Sequence, residues 1–155
     1  MKYKLTSIIL LFLIIIAFLS CLNAQPDNKK PMYGEVPKNE HYKEIDEEFK
    51  KNCIKQYGTL DSAAQAHIAF GWEYFCYGDL TTAMKRFNQS WLLNQEIPDV
   101  YFGFAALMEM QDNKKEAERF YKIGNQKDTT GERAKICYEI IETCTERLKK
   151  KETLN

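Results

Sequence analysis

Only two histidines, His41 and His67, occur in the 155 residues, and neither stands in a metal-binding or nucleophile motif. The chain has no glycine-rich phosphate loop and no paired-carboxylate motif with recognisable context, so catalysis has no residues here to carry it. His67 falls on a packing position of a helix and reads as a core histidine. No close Cys/His pair is present, which excludes an ordinary zinc site and leaves no cofactor implied. No segment alternates like a strand, which leaves an all-α class. A clustered basic surface is also missing. Without the first 24 residues, 20 basic face 22 acidic side chains, a net charge of −2. The one dense run, Lys149-Lys150-Lys151, suits a helix C-terminus, and nucleic acid is excluded as partner on this ground.

What is present begins with a leader. Lys2 and Lys4 precede Ile8 to Leu19, an apolar run of 12 residues. That is short of the about 20 needed for a membrane span, and it reads as a signal peptide over 1–24. Leu22-Asn23-Ala24 offers one cleavage site. Phe18-Leu19-Ser20-Cys21 resembles the lipobox of bacterial lipoproteins, in which case Cys21 carries the lipid. An uncleaved anchor would equally export the domain. The expected location is therefore periplasmic or anchored to the outer membrane, with contact to a membrane only through that lipid.

Residues 25–38 hold Pro26, Pro31, Gly34 and Pro37 among polar side chains and predict a flexible, extended tether. From 39 to 151 the apolar spacing is helical. Tyr42, Ile45, Phe49 and Cys53 form one stripe, ended by Gly58. Asp61 or Ser62 can cap a second helix running to about Tyr77. Gly78-Asp79 turns into a third helix, Leu80 to Asn94. Pro98 opens a fourth, Asp112-Asn113 breaks it, Lys114 opens a fifth, and Gly131 precedes a sixth.

A shift of 34 residues lays this array on itself. His67, Phe70, Gly71, Tyr74, Ala83 and Phe87 fall on Tyr101, Phe104, Ala105, Met108, Ala117 and Tyr121, and Gly78-Asp79 falls on Asp112-Asn113. Period and pattern resemble the tetratricopeptide repeat. The resemblance implies antiparallel helical hairpins stacked as a short right-handed solenoid, with repeats at about 64–97 and 98–131. His67 stands where the family usually has Trp, and the closing Pro is absent. Two repeats need capping helices, here about 39–57 and 132–150. A further shift of 34 puts Glu139 where a small residue belongs, so the last helix is a cap whose Ile136, Ile140 and Ile141 cover the second repeat.

The resemblance also implies a concave groove lined by the first helix of each pair, and a protein or peptide as partner. Gln65, Ile68, Trp72 and Phe75 share one line of the first such helix, and Asp99, Phe102, Ala106 and Glu109 the matching line of the next. Trp72, Phe75 and Phe102 would form an apolar floor, with Asp99 and Glu109 selecting a basic flank. The same aromatics could instead pack under the capping helix. Ile68 and Trp72 stand where some members hold a peptide carboxylate with Lys and Asn, so that clamp does not carry over.

The function expected is an interaction module of the bacterial cell envelope. The alternative is a structural subunit whose groove is permanently filled, with an unrecognised enzyme the less favoured third reading, and oligomeric state stays open. Four cysteines follow Ala24: Cys53, Cys76, Cys137 and Cys144. Cys137 and Cys144 on one helix lie about 10 Å apart, past the about 7 Å a bridge spans. Of the three complete pairings of four cysteines, the two that join Cys53 and Cys76 to Cys137 and Cys144 remain open, as do a lone Cys53–Cys76 bridge and buried free thiols.

Overall fold

The computed structural model describes residues 25–153, apart from the side chain at 152, so the leader and Cys21 lie outside the described residues. Six α-helices follow in order: α1 (Glu40–Tyr57), α2 (Leu60–Tyr77), α3 (Leu80–Leu93), α4 (Pro98–Met110), α5 (Lys114–Lys127) and α6 (Glu132–Thr153). No strand occurs among the described residues, and the class is all-α. No helix among them is long and apolar enough to cross a membrane.

Local chemistry sets the boundaries. Asn39, Asp79 and Asn113 each accept a hydrogen bond from the backbone N–H three residues on, satisfying first-turn donors of α1, α3 and α5. Thr59 does so for α2, with its Oγ1 3.0 Å from the Ser62 N–H, so the cap precedes the expected Asp61 or Ser62. Pro98 sits in the first turn of α4, where its missing N–H costs nothing. Gly78 and Asp112, one period apart, both turn through left-handed backbone, at φ 86° and 56°.

α2 pairs with α3 and α4 with α5, and α3 lies against α4, stacking the two hairpins. The small residues of the 34-residue pattern are all buried: Gly71 and Ala105 on the first helices, Ala83 and Ala117 on the second. Phe87 shows why they must be small. A Cβ at Gly71 would stand 2.6 Å from its ring, and one at Gly103 would stand 2.5 Å away. One aromatic ring is thus held between a glycine of its own hairpin and a glycine of the next. Gly103→Ala should destabilise the protein by about 2 kcal/mol in urea denaturation. The overpacking cost of up to ~3 kcal/mol exceeds the ~1 kcal/mol that alanine gains in a helix. Phe87→Leu in the same chain should recover part of the loss, and a neutral Gly103→Ala would show that the ring has room to move.

α1 covers α2, seating Cys53 with Ala63, Ala64 and Leu93. Ile45, nearer its start, stays 47% exposed. α6 packs on α4 and on α2, the layer formed by the first helices of both hairpins. Its inward face is Ala134, Cys137 and Cys144, with Ile140, Ile141 and Leu148 half-buried. Ile136, expected to face inward, is 40% exposed. The expectation assumed a helix capping the end of the stack, and a helix laid over two others presents a different stripe.

The stretch 25–38 is not the extended tether its composition predicts. Pro31–Glu35 forms a short turn, with Met32 to Glu35 in left-handed backbone, lying on α3. Fully buried Asn88 of α3 holds this strap. Its Nδ2 donates to the Lys30 carbonyl at 2.9 Å and to the Asn28 carbonyl at 3.2 Å, and its Oδ1 accepts from the Tyr33 N–H at 3.4 Å. Lys38, over the Tyr33 ring, pairs with Asp46 of α1 at 2.6 Å, and Glu35 pairs with Arg119 of α5.

Candidate functional site

Two hairpins set α2 and α4 side by side, and the residues expected to line a groove stand on this layer. The structure brings them together, but as interior. Ile68, Trp72, Phe75 and Phe102 are at most 7% exposed. Trp72 meets Phe75 and Phe87 edge-on at centroid distances of 5.8 and 5.1 Å, so it fills the hairpin rather than facing outward. Phe102 reaches Tyr121 of α5 and Tyr138 of α6, and a Cβ on Gly124 would lie 3.0 Å from its ring. Gln65 and Glu109 are exposed, and Glu109 accepts from the Tyr121 hydroxyl at 2.8 Å. The expected aromatic floor is therefore packed core in this chain. Sequence spacing put these side chains on one line, but it could not say that Trp72 turns into its own hairpin against Phe87 or that α6 arrives against Phe102.

Asp99 corrects a second expectation. A solvent-facing carboxylate was expected there, but the residue is 2% exposed and accepts two hydrogen bonds from the Arg133 guanidinium of α6, one from Nε at 3.0 Å. A two-pronged guanidinium–carboxylate contact fixes orientation as well as charge. Next to it, burial and the Asp99 charge push the Cys137 thiol well above its ordinary range, so it stays protonated and unreactive. Asp128 secures the entry to α6, accepting from the Ala134 N–H at 2.7 Å and the Gly131 N–H at 3.1 Å.

The other end of α6 is tied covalently. Cys76 at the end of α2 bonds Cys144 of α6, with Cα atoms 4.7 Å apart, while Cys53 and Cys137 are free and buried. The two bonded cysteines are 68 residues apart, which is twice the repeat period. In a straight continuation of the stack, equivalent positions two helices apart would be separated by roughly 16–20 Å, at 8–10 Å per helix. Contact between them means that α6 leaves the stack and folds back over α2 and α4. The sequence could exclude a bridge within α6 but could not choose this pairing, because the choice depends on that fold-back.

His67 and Cys53 form the remaining polar pair of the interior, with Nε2 to Sγ at 3.9 Å. Phe49, Tyr57 and Phe70 surround the imidazole. Burial, with a smaller contribution from Arg86, lowers the His67 pKa from 6.5 to about 4, and burial raises that of Cys53. Both groups are held neutral, the opposite of the thiolate–imidazolium pair that makes a nucleophile. Between pH 6.5 and 4 the unfolded chain takes up a proton on this histidine that the folded chain refuses. Its contribution to stability is therefore complete above pH 6.5 and is lost as pH falls toward 4. His67→Phe should remove up to ~1.4 kcal/mol per pH unit of slope from the unfolding free energy in that window. An unchanged slope in urea titrations would place the acid sensitivity elsewhere.

The strap creates an opening that the sequence did not announce. Two adjoining cavities of about 560 and 290 Å³ share Lys38, Asp46 and Leu92, the larger also lined by Met32, Val36 and Trp91. They exist because Asn88 folds residues 28–33 back onto α3, a contact across 55 to 60 residues without a local signature.

The site is thus a layer of two first helices covered by an amphipathic helix from the same chain, pinned by an ion pair at one end and a disulfide at the other. No group of acidic, cysteine and histidine side chains fit to hold a metal ion occurs among the described residues. No family model, no curated protein and no solved structure matches the chain.

Proposed function

We propose that the protein is an exported, non-catalytic interaction module of the bacterial cell envelope, a tetratricopeptide-like domain that recognises a partner segment on the layer formed by α2 and α4. One observation carries this reading. That layer already receives an amphipathic helix, α6, through a stripe of small and aliphatic side chains and one ion pair that Arg133 makes to the buried Asp99. A surface shaped for such a helix in cis offers the same complementarity to one in trans. The leader sequence supports export, to the periplasm or to a lipid anchor on Cys21, and the Cys76–Cys144 bond suits an oxidising compartment.

The test is a cross-linked capture from the native envelope with and without an excess of a peptide spanning residues 132–151. A partner lost when the peptide is added supports recognition on this layer. A partner indifferent to the peptide moves the search to the cavities beneath the strap. A second reading, a structural subunit whose groove is permanently filled, is favoured by the covalent tie on α6. It expects no partner that the peptide displaces.

A further inference from the structure

We propose that α6 is a redox-latched cover: reduction of Cys76–Cys144 releases it, and the uncovered face then takes a partner helix led by an arginine that replaces Arg133 on Asp99. This rests on the reading of the α2–α4 layer as the recognition surface, and adds to it the partner's chemistry and the control of access.

Three observations converge. First, α6 meets the core along one narrow stripe, Ala134, Cys137, Ile140, Ile141 and Cys144, and its polar and covalent ties stand toward the two ends of that stripe. Arg133 pairs with Asp99 in the first turn, Tyr138 meets Phe102 edge-on, and beyond these Cys144 is bonded to Cys76 with Leu148 close to Gly78. Much of the rest of the helix, from Ile136 and Glu139 to Arg147 and Lys149, faces solvent. Second, the most extensive helix pairings, α2 with α3 and α4 with α5, do not involve α6, so the two hairpins keep their own internal contacts when it lifts. What the removal strands is Asp99, a carboxylate 2% exposed whose cationic partner comes only from α6 among the described residues. A buried carboxylate without its guanidinium is costly, so the open face selects a ligand that supplies one. Third, the bridge is approachable from outside, because Cys76 is only half-buried whereas Cys144 is buried.

The step balances with a dithiol reductant. One thiolate of the reductant attacks the Cys76 sulfur, the bond to Cys144 breaks, and Cys144 leaves as a thiolate that takes up a proton. The second thiol of the reductant then displaces Cys76 from the mixed disulfide. The reductant ends as a disulfide, and two electrons and two protons end on Cys76 and Cys144.

The experiment uses the chain as the cell processes it, expressed with its own leader, in oxidised form and after dithiothreitol. On reduction, hydrogen exchange of the α6 amides should accelerate at least tenfold more than that of the α3 and α5 amides, whose rates rise only with the fall in global stability. A fluorescent peptide of residues 132–151, carrying Cys137→Ala and Cys144→Ala so that it cannot form disulfides, should bind the reduced chain at least tenfold tighter than the oxidised one. Arg133→Ala in that peptide should weaken it at least tenfold. Equal binding to both forms overturns the latch and leaves the recognition surface standing. No binding to either form overturns the recognition surface itself. Indifference to Arg133→Ala overturns the Asp99 anchor. Loss of helical circular dichroism throughout the chain on reduction also overturns the latch, since a cover must open without melting what it covers.

Discussion

Breaking the Cys76–Cys144 bond, by reduction or by Cys76→Ala with Cys144→Ala, lowers the free energy of unfolding by about 4 kcal/mol. The magnitude follows from chain entropy: the bridge closes 68 residues of separation, and an unfolded chain freed from that loop gains conformations the bonded chain lacks. For a domain of this size the loss corresponds to a melting temperature lower by about 15 °C. Guanidinium unfolding with and without dithiothreitol measures it directly. A difference below about 1 kcal/mol would mean that the bridge does not close this loop, since only a long loop gives the larger value.

Phe102→Ala is expected to cost about 4 kcal/mol in the same assay. The side chain is fully buried and wedged between Tyr121, Tyr138 and the backbone at Gly124, three neighbours on α5 and α6 that cannot all close the void. The measurement also separates two roles for the aromatics expected to line a groove. An open groove floor would lose partner binding with a stability change under about 1 kcal/mol, whereas a core residue loses stability first. The same logic holds for Trp72 and Phe75, so changing all three together would test whether the chain folds rather than what it binds.

The folded-back α6 joins these two results. It takes Asp99 and Phe102 into the interior, and it puts two cysteines 68 residues apart in contact. The stability of the domain and the covering of the α2–α4 layer then depend on the same covalent bond.

The helices and their pairing were legible in the sequence because their causes are local. Asn39, Asp79, Pro98 and Asn113 sit within a few residues of the donors they satisfy or spare, and apolar side chains three or four apart define each inward stripe. The 34-residue period was legible for a related reason. Close packing in each hairpin demands a small residue at the same place, and Gly71, Ala83, Ala105 and Ala117 are buried where the pattern puts them. Of the expected groove residues, the pattern placed Ile68, Trp72, Phe75, Asp99 and Phe102 correctly on the first helices but not their exposure.

What only the tertiary structure decided rests on contacts between distant residues. Asn88 turns 25–38 from a tether into a strap across 55 to 60 residues, Arg133 takes Asp99 into the interior across 34, and Cys144 reaches Cys76 across 68. Spacing along a chain fixes which side chains share a helix face. It does not fix which helix arrives to cover that face, because that depends on the summed packing of all six helices, and no single segment encodes it.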